Sequence, residues 1–117
     1  MKSKADPRIY IIGDSANANA MPKSAVSANS QAKVVANSVL GELTNNGVFP
    51  ARYANTCWSL IARNDGIKVG ANYKAGRTKI EVVSRFVSGE NESLETRKTT
   101  YEESLYWYTD IITDMFS

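Results

Sequence analysis

Two short stretches carry the side chains that could do chemistry: Ile12-Gly13-Asp14-Ser15, and the neighbourhood of Cys57, the single cysteine. Ser15 could be an esterase nucleophile, but a serine hydroxyl of that kind needs an imidazole to take its proton. No histidine occurs among the 117 residues. The same zero removes a Cys–His nucleophile. With only one cysteine, it also removes an intrachain disulfide and a zinc site built on Cys and His. No metal site is expected. Any reaction must borrow its reactive part from a cofactor or from another chain.

A flavin is the cofactor that the first stretch suits. Glycine at position 13 lets the backbone approach a ligand closely, and the Asp14 carboxylate is an acceptor for ribityl hydroxyls. A helix beginning near Ser24 would turn backbone N–H groups and a partial positive charge toward the N1–C2=O edge of the ring. Lys23 beside that helix start would stabilise the negative charge of the reduced flavin. The plainer reading is an ordinary aspartate in a strand–helix turn. For Cys57 the plainer reading is a buried, inert thiol at the start of an apolar strand. A redox role for it needs a second sulfur from outside the chain.

The elements that would position these residues follow from periodicity. Arg8 to Ile12 is a short apolar run stopped by Gly13-Asp14, which reads as a strand buried on both faces. Ser15 to Pro22 reads as a tight loop, with Pro22 in the first turn of the helix that follows, where proline is best tolerated. Ala25, Ala28, Ala32, Val35, Val39 and Leu43 then recur at helical spacing, with Gly41 and Asn45-Asn46-Gly47 supplying the stop. Lys33 is the only charge between Ser24 and Gly41. So neutral a helix either meets neighbours on more than one side or is simply an alanine-rich packed helix.

Beyond Phe49-Pro50, Cys57 to Ala62 reads as a strand. Asp65-Gly66 reads as a turn, Ile67 to Tyr73 as a second strand, Ala75 to Arg77 as another turn and Ile80 to Phe86 as a third strand. Ser88 to Lys98 reads as an exposed loop. Thr100 and Glu103 form a capping-box signature, and Tyr101, Leu105, Tyr108, Ile112 and Met115 form the apolar stripe of a helix that covers the sheet. Trp107 lies about 120° from the centre of that stripe. It either meets a ligand or partner or extends the core beside Ile111.

Several ordered blocks then add up. Tyr10-Ile-Ile-Gly-Asp-Ser, Met21-Pro-Lys-Ser, Ser27-Ala-Asn-Ser-Gln-Ala-Lys-Val, Asn55-Thr-Cys-Trp-Ser and Trp107-Tyr-Thr-Asp-Ile-Ile-Thr-Asp-Met-Phe stand in this sequence. Together they resemble the C-terminal part of the flavoprotein subunit of flavocytochrome c sulfide dehydrogenase, of the FAD-dependent, sulfide:quinone reductase-like family. The resemblance runs from about Pro7 to Ser117 and is weakest in the meander and in Ser88 to Lys98. It implies cofactor-binding roles for Gly13, Asp14, Lys23, Ser24, Thr56 and Trp107, and it makes Cys57 the second half of a redox disulfide beside FAD. Sulfide attack on that disulfide, electron transfer through FAD to a c-type cytochrome subunit and a periplasmic location are implied in the same way. Trp58 stands where a tyrosine is usual, and the meander turn is shorter than usual. In the family, the G-x-G-x-x-G fingerprint, the covalent FAD attachment and the first cysteine lie in a preceding N-terminal portion. No G-x-G occurs here. The isolated chain is therefore expected to be inactive and to bind FAD weakly or not at all.

Composition bounds the rest. Apolar residues make up 43% and charged residues 22%, which excludes wholesale disorder. A net charge of +2 points to neither nucleic acid nor an anionic membrane. No transmembrane segment or signal peptide is read from the sequence. The expected fold is α+β: a strand–helix remnant of a dinucleotide-binding fold over residues 1–47, then a three-stranded antiparallel sheet with a covering C-terminal helix over 48–117, effectively one compact unit. A different class of function is also consistent with the residues. The chain would then be a stand-alone assembly domain that self-associates, as a homodimer, through its neutral and aromatic helices.

Overall fold

The computed structural model describes residues 1–117 and has the expected α+β composition. A 3₁₀ turn at Gly13–Ser15 precedes α1 (Ala25–Thr44). The strands β1 (Arg52–Ala62), β2 (Asp65–Ala75) and β3 (Ile80–Val87) follow, and α2 (Leu94–Phe116) ends the chain. The sheet order β1-β2-β3 is that of the antiparallel meander read from the period-2 pattern. The first hairpin turns at Arg63-Asn64, two residues before the expected Asp65-Gly66. Asn64 takes the left-handed backbone (φ 59°), which asparagine tolerates. Gly76 opens the second turn and donates its N–H to Lys79 O at 2.8 Å.

The chain divides into two compact units, Met1–Thr56 with Gly70–Arg85 and Cys57–Val69 with Phe86–Ser117. In the first, Ala18, Met21, Tyr53, Ala71 and Tyr73 form the buried cluster, flanked by Met1, Val34, Ala51, Ile80 and Val82. The helix α1 starts at Ser24, whose side chain accepts from Ser27 N at 3.1 Å, and ends at Asn45 in the left-handed conformation (φ 52°). Its fully buried positions are Ser27 and Gln31, one turn apart and both polar. The expected alanine and valine stripe is half-buried at best, with Val39 and Leu43 exposed. Hydrogen-bond partners decide this, because a buried polar side chain is stable when its bonds are made.

The run Arg8 to Ile12 does not join the sheet. Tyr10 pairs with Lys2 in an isolated antiparallel bridge, Ser3 N donates to Ile9 O at 2.8 Å and Ile11 N donates to Met1 O at 3.0 Å. Ile9, expected to be buried, is 53% exposed. Its backbone is satisfied by the first residues of the chain, so no further strand is needed.

In the second unit, α2 begins at Leu94, earlier than Thr100. Ser93 is the cap and its Oγ accepts from Thr96 N at 3.1 Å. Glu95 in the first turn suits the positive helix end. Thr100 is fully buried, and it is the packed face of α2 that departs from expectation. Thr100, Glu103, Ser104, Trp107 and Ile111 are buried or half-buried, whereas Leu105, Tyr108, Ile112 and Met115 are exposed. Three contacts select that face. Arg97 pairs with Asp65, Lys68 pairs with Glu103 at 2.5 Å, and the rings of Trp58 and Trp107 meet with centroids 5.9 Å apart at 33°. Gly66 permits the approach, because a Cβ there would lie 2.9 Å from Tyr101 N.

Candidate functional site

The Gly13 turn is built from both ends of the segment that follows it. Gly13 has φ +69°, a conformation that glycine adopts without strain, and its N–H donates to Gln31 Oε1 at 2.8 Å. Ser15 Oγ donates to Ile12 O at 2.9 Å and Ala16 N to Gly13 O at 3.1 Å, which close the turn. Nine residues on, Lys23 Nζ donates to the Asp14 carbonyl oxygen at 2.7 Å. The Asp14 side chain is exposed and has no hydrogen-bonding partner within the chain.

Beside this turn lies a cavity of about 260 Å³, lined by Gly13, Ser15–Asn19, Met21, Pro22, Lys23 and Gln31. No carboxylate side chain lines it, whereas Lys23, Gln31, Asn17 and Asn19 offer donors. The lining suits a ligand that presents carbonyl and hydroxyl oxygens. Gly13 and Lys23 belong to it. Asp14 does not line it and is linked to it only through its carbonyl oxygen, which accepts from Lys23.

Ser24 serves the architecture of the site. Its Oγ donates to Asn55 Oδ1 at 2.5 Å, and Ser27 Oγ donates to the same oxygen at 3.1 Å. Ala54 N donates to Ser30 Oγ at 3.0 Å. The first turns of α1 are thereby fastened to β1 just before Thr56, which is half-buried. Gln31 and Asn55 were not among the residues expected in the site. The signal for them was present, as polar residues at helical and strand spacing on faces short of charge, but only their partners reveal that they are buried.

In the second unit, Cys57 is exposed on β1, which removes the plainer reading of a buried thiol. Strict alternation from Tyr53 and Asn55 would turn Cys57 inward, but past Asn55 the half-buried positions are Thr56 and Trp58, and Cys57 is left exposed. Trp107 is half-buried on Trp58, in line with Ile111 on the packed face of α2. Trp58 Nε1 is buried without a hydrogen-bond partner.

Comparison with known families decides the affiliation. The family model described as flavocytochrome c sulphide dehydrogenase, flavin-binding, matches residues 49–116. The chain belongs to that family. The matched stretch of this flavocytochrome c sulphide dehydrogenase flavin-binding family takes in the whole meander and α2, and with them Thr56, Cys57 and Trp107. Gly13, Asp14, Lys23 and Ser24 precede it. The resemblance read from the ordered sequence blocks is borne out, and the chain is one of a flavoprotein family whose name joins a flavin-binding part to a cytochrome c. No helix is long and apolar enough to cross a membrane.

Proposed function

We propose that this chain supplies one wall of an FAD site and one sulfur of a redox disulfide in a flavoprotein that oxidises sulfide. The observation that carries the proposal is the family match over residues 49–116, which contains Thr56, Cys57 and Trp107. The Gly13–Lys23 cavity supports it, because its lining chemistry fits part of a flavin. At about 260 Å³ it accommodates the ribityl chain and an adjoining ring edge, with the remainder of the nucleotide held elsewhere. Lys23 and Gln31 would donate to ring or ribityl oxygens, and the Asp14 carboxylate would accept from ribityl hydroxyls. Thr56 and Trp107 would flank the cofactor, and Ser24 would set the helix end beside it.

Bound FAD supplies a two-electron acceptor. Cys57 supplies a sulfur atom for a disulfide with a cysteine from outside these 117 residues, since the chain has no second one. Sulfide attacks one sulfur of that bond. The S–S bond breaks, the attacked cysteine becomes a persulfide and the other leaves as a thiolate. Exposure of Cys57 suits this exchange, because an attacking thiolate needs access to the sulfur. A c-type cytochrome is the expected electron acceptor, and the periplasm is the expected compartment, where disulfides persist.

The test is Cys57→Ser in the flavin-loaded protein. Sulfide oxidation should be lost while the flavin spectrum is retained. Normal turnover in that variant would end the disulfide proposal.

A second reading, a self-associating assembly domain, is favoured by the exposed apolar face of α2, where Leu105, Tyr108, Ile112 and Met115 are all exposed. Flavin absorbance in the purified protein supports the first reading. A colourless protein that runs as a stable dimer on sizing supports the second.

A further inference from the structure

The three largest fully buried side chains are Gln31, Thr100 and Ser27, and only Gln31 lines the cavity beside the Gly13 turn. The residue is 2% exposed. The oxygen is committed, because it must accept from Gly13 N–H at 2.8 Å. That bond also fixes the orientation of the amide, since the flipped form would set two donors against each other. The nitrogen therefore points its two N–H groups away from Gly13. Their single partner within the chain is Met21 Sδ at 3.8 Å, and a thioether is a weak acceptor. A buried amide with an N–H lacking a good acceptor is costly, and a ligand oxygen removes that cost.

We propose that Gln31 is a ligand-reading residue of this cavity, donating from Nε2 to a carbonyl or hydroxyl oxygen of the bound flavin. This rests on the flavin reading above and adds a specificity determinant to it. Lys23 lines the same cavity, so a cation and an oriented amide donor meet a ligand edge that carries acceptors only. A ligand without an oxygen at that point leaves the Gln31 amide unpaired and is rejected for that reason. Gln31 thus has two duties. Its oxygen holds the Gly13 turn and its nitrogen reads the ligand.

The two duties separate experimentally, with the full chain labelled with ¹⁵N and FMN added to millimolar concentration, where even the weak binding expected of this chain by itself registers. In the wild type, the Gln31 side-chain NH₂ resonances should shift with the same binding curve as the backbone amides from Gly13 to Lys23. Gln31→Glu keeps an oxygen for Gly13 N–H and deletes the donors. It should weaken FMN binding by about tenfold while the Gly13 amide stays protected from exchange. Wild-type FMN affinity in a Gln31→Glu variant with a protected Gly13 amide overturns the proposal. Because a buried carboxyl group can unsettle the fold, the wild-type spectrum also decides alone. A silent Gln31 NH₂ with responding Gly13–Lys23 amides overturns the inference and leaves the flavin reading standing. No response to FMN anywhere in Gly13–Lys23 overturns the flavin reading of the cavity, and the role of Gln31 with it.

Discussion

Ser24 Oγ lies 2.5 Å from Asn55 Oδ1, so the cap of α1 and the fourth residue of β1 share one hydrogen bond. The same Asn55 oxygen accepts from Ser27 Oγ at 3.1 Å, and Ser24 Oγ in turn accepts from Ser27 N. Helix and strand are thus joined by polar groups where an apolar contact is usual. Such a joint fixes direction as well as distance, because each bond weakens steeply when misaligned. The start of α1, where Lys23 reaches back to the Gly13 turn, is held in register with the first residues of β1, up to Thr56.

Asn55→Ala tests that joint. It leaves the buried Ser27 hydroxyl and the half-buried Ser24 hydroxyl without their acceptor, which should cost about 1–3 kcal/mol. Urea unfolding should show a lowered midpoint with an unchanged slope. An unaltered midpoint would mean that the joint contributes nothing to stability.

Gly66→Ala should loosen α2. The added Cβ would fall 2.9 Å from Tyr101 N and 3.0 Å from Tyr101 Cα, both backbone atoms that cannot swing aside. Overpacking of this kind costs about 1–3 kcal/mol. The expected readout is a lowered thermal midpoint with reduced amide protection in α2. Full protection there would show that the strand and helix part without penalty.

Lys23→Met should lower the reduction potential of a bound flavin, because a cation that stabilises the reduced, negatively charged form is lost. The upper end is roughly 30 mV, the two-electron equivalent of roughly 1.4 kcal/mol. Solvent exposure of Lys23 reduces the effect below that. Dye-equilibrated potentiometry measures it, and an unchanged potential removes Lys23 from the flavin site.

Acid should release the N-terminal residues from α1. Lys2 Nζ pairs with Glu42 at 2.6 Å, and Tyr10 OH donates to Glu42 at 3.0 Å. The Lys2 hydrogen bond, followed by that of Tyr10, holds the Glu42 carboxyl below its usual value. A carboxyl depressed in the folded state contributes stability that is fully present above its unfolded pKa and is lost as pH falls through the folded one. The tether should therefore survive mild acid and fail only below the usual glutamate range. A carbon-detected titration of Glu42 checks this, and a midpoint at or above the usual value would contradict it.

The sequence by itself determined the architecture along the chain. Period-2 alternation with turn residues specified the meander, and a 3.6-residue period from Ala25 to Leu43 specified α1, whose caps at Ser24 and Asn45 the fold then fixed. The absence of histidine and the single cysteine ruled out whole classes of catalysis before any coordinates. These features are legible because they depend on neighbours a few residues away. Tertiary structure decided which face of each helix is buried. On α2 the period is the same for the stripe through Leu105 and Ile112 as for the one through Trp107 and Ile111, so spacing cannot choose between them. The choice falls to Asp65, Lys68 and Trp58, distant in sequence, which pair with Arg97, Glu103 and Trp107. The start of α2 was hidden for a related reason, since its first turn is polar and exposed and carries no apolar signal. On α1, the burial of Gln31 depends on Gly13 N–H, eighteen residues earlier. A polar side chain looks alike in sequence whether water or a buried backbone group satisfies it, and only the folded chain distinguishes the two.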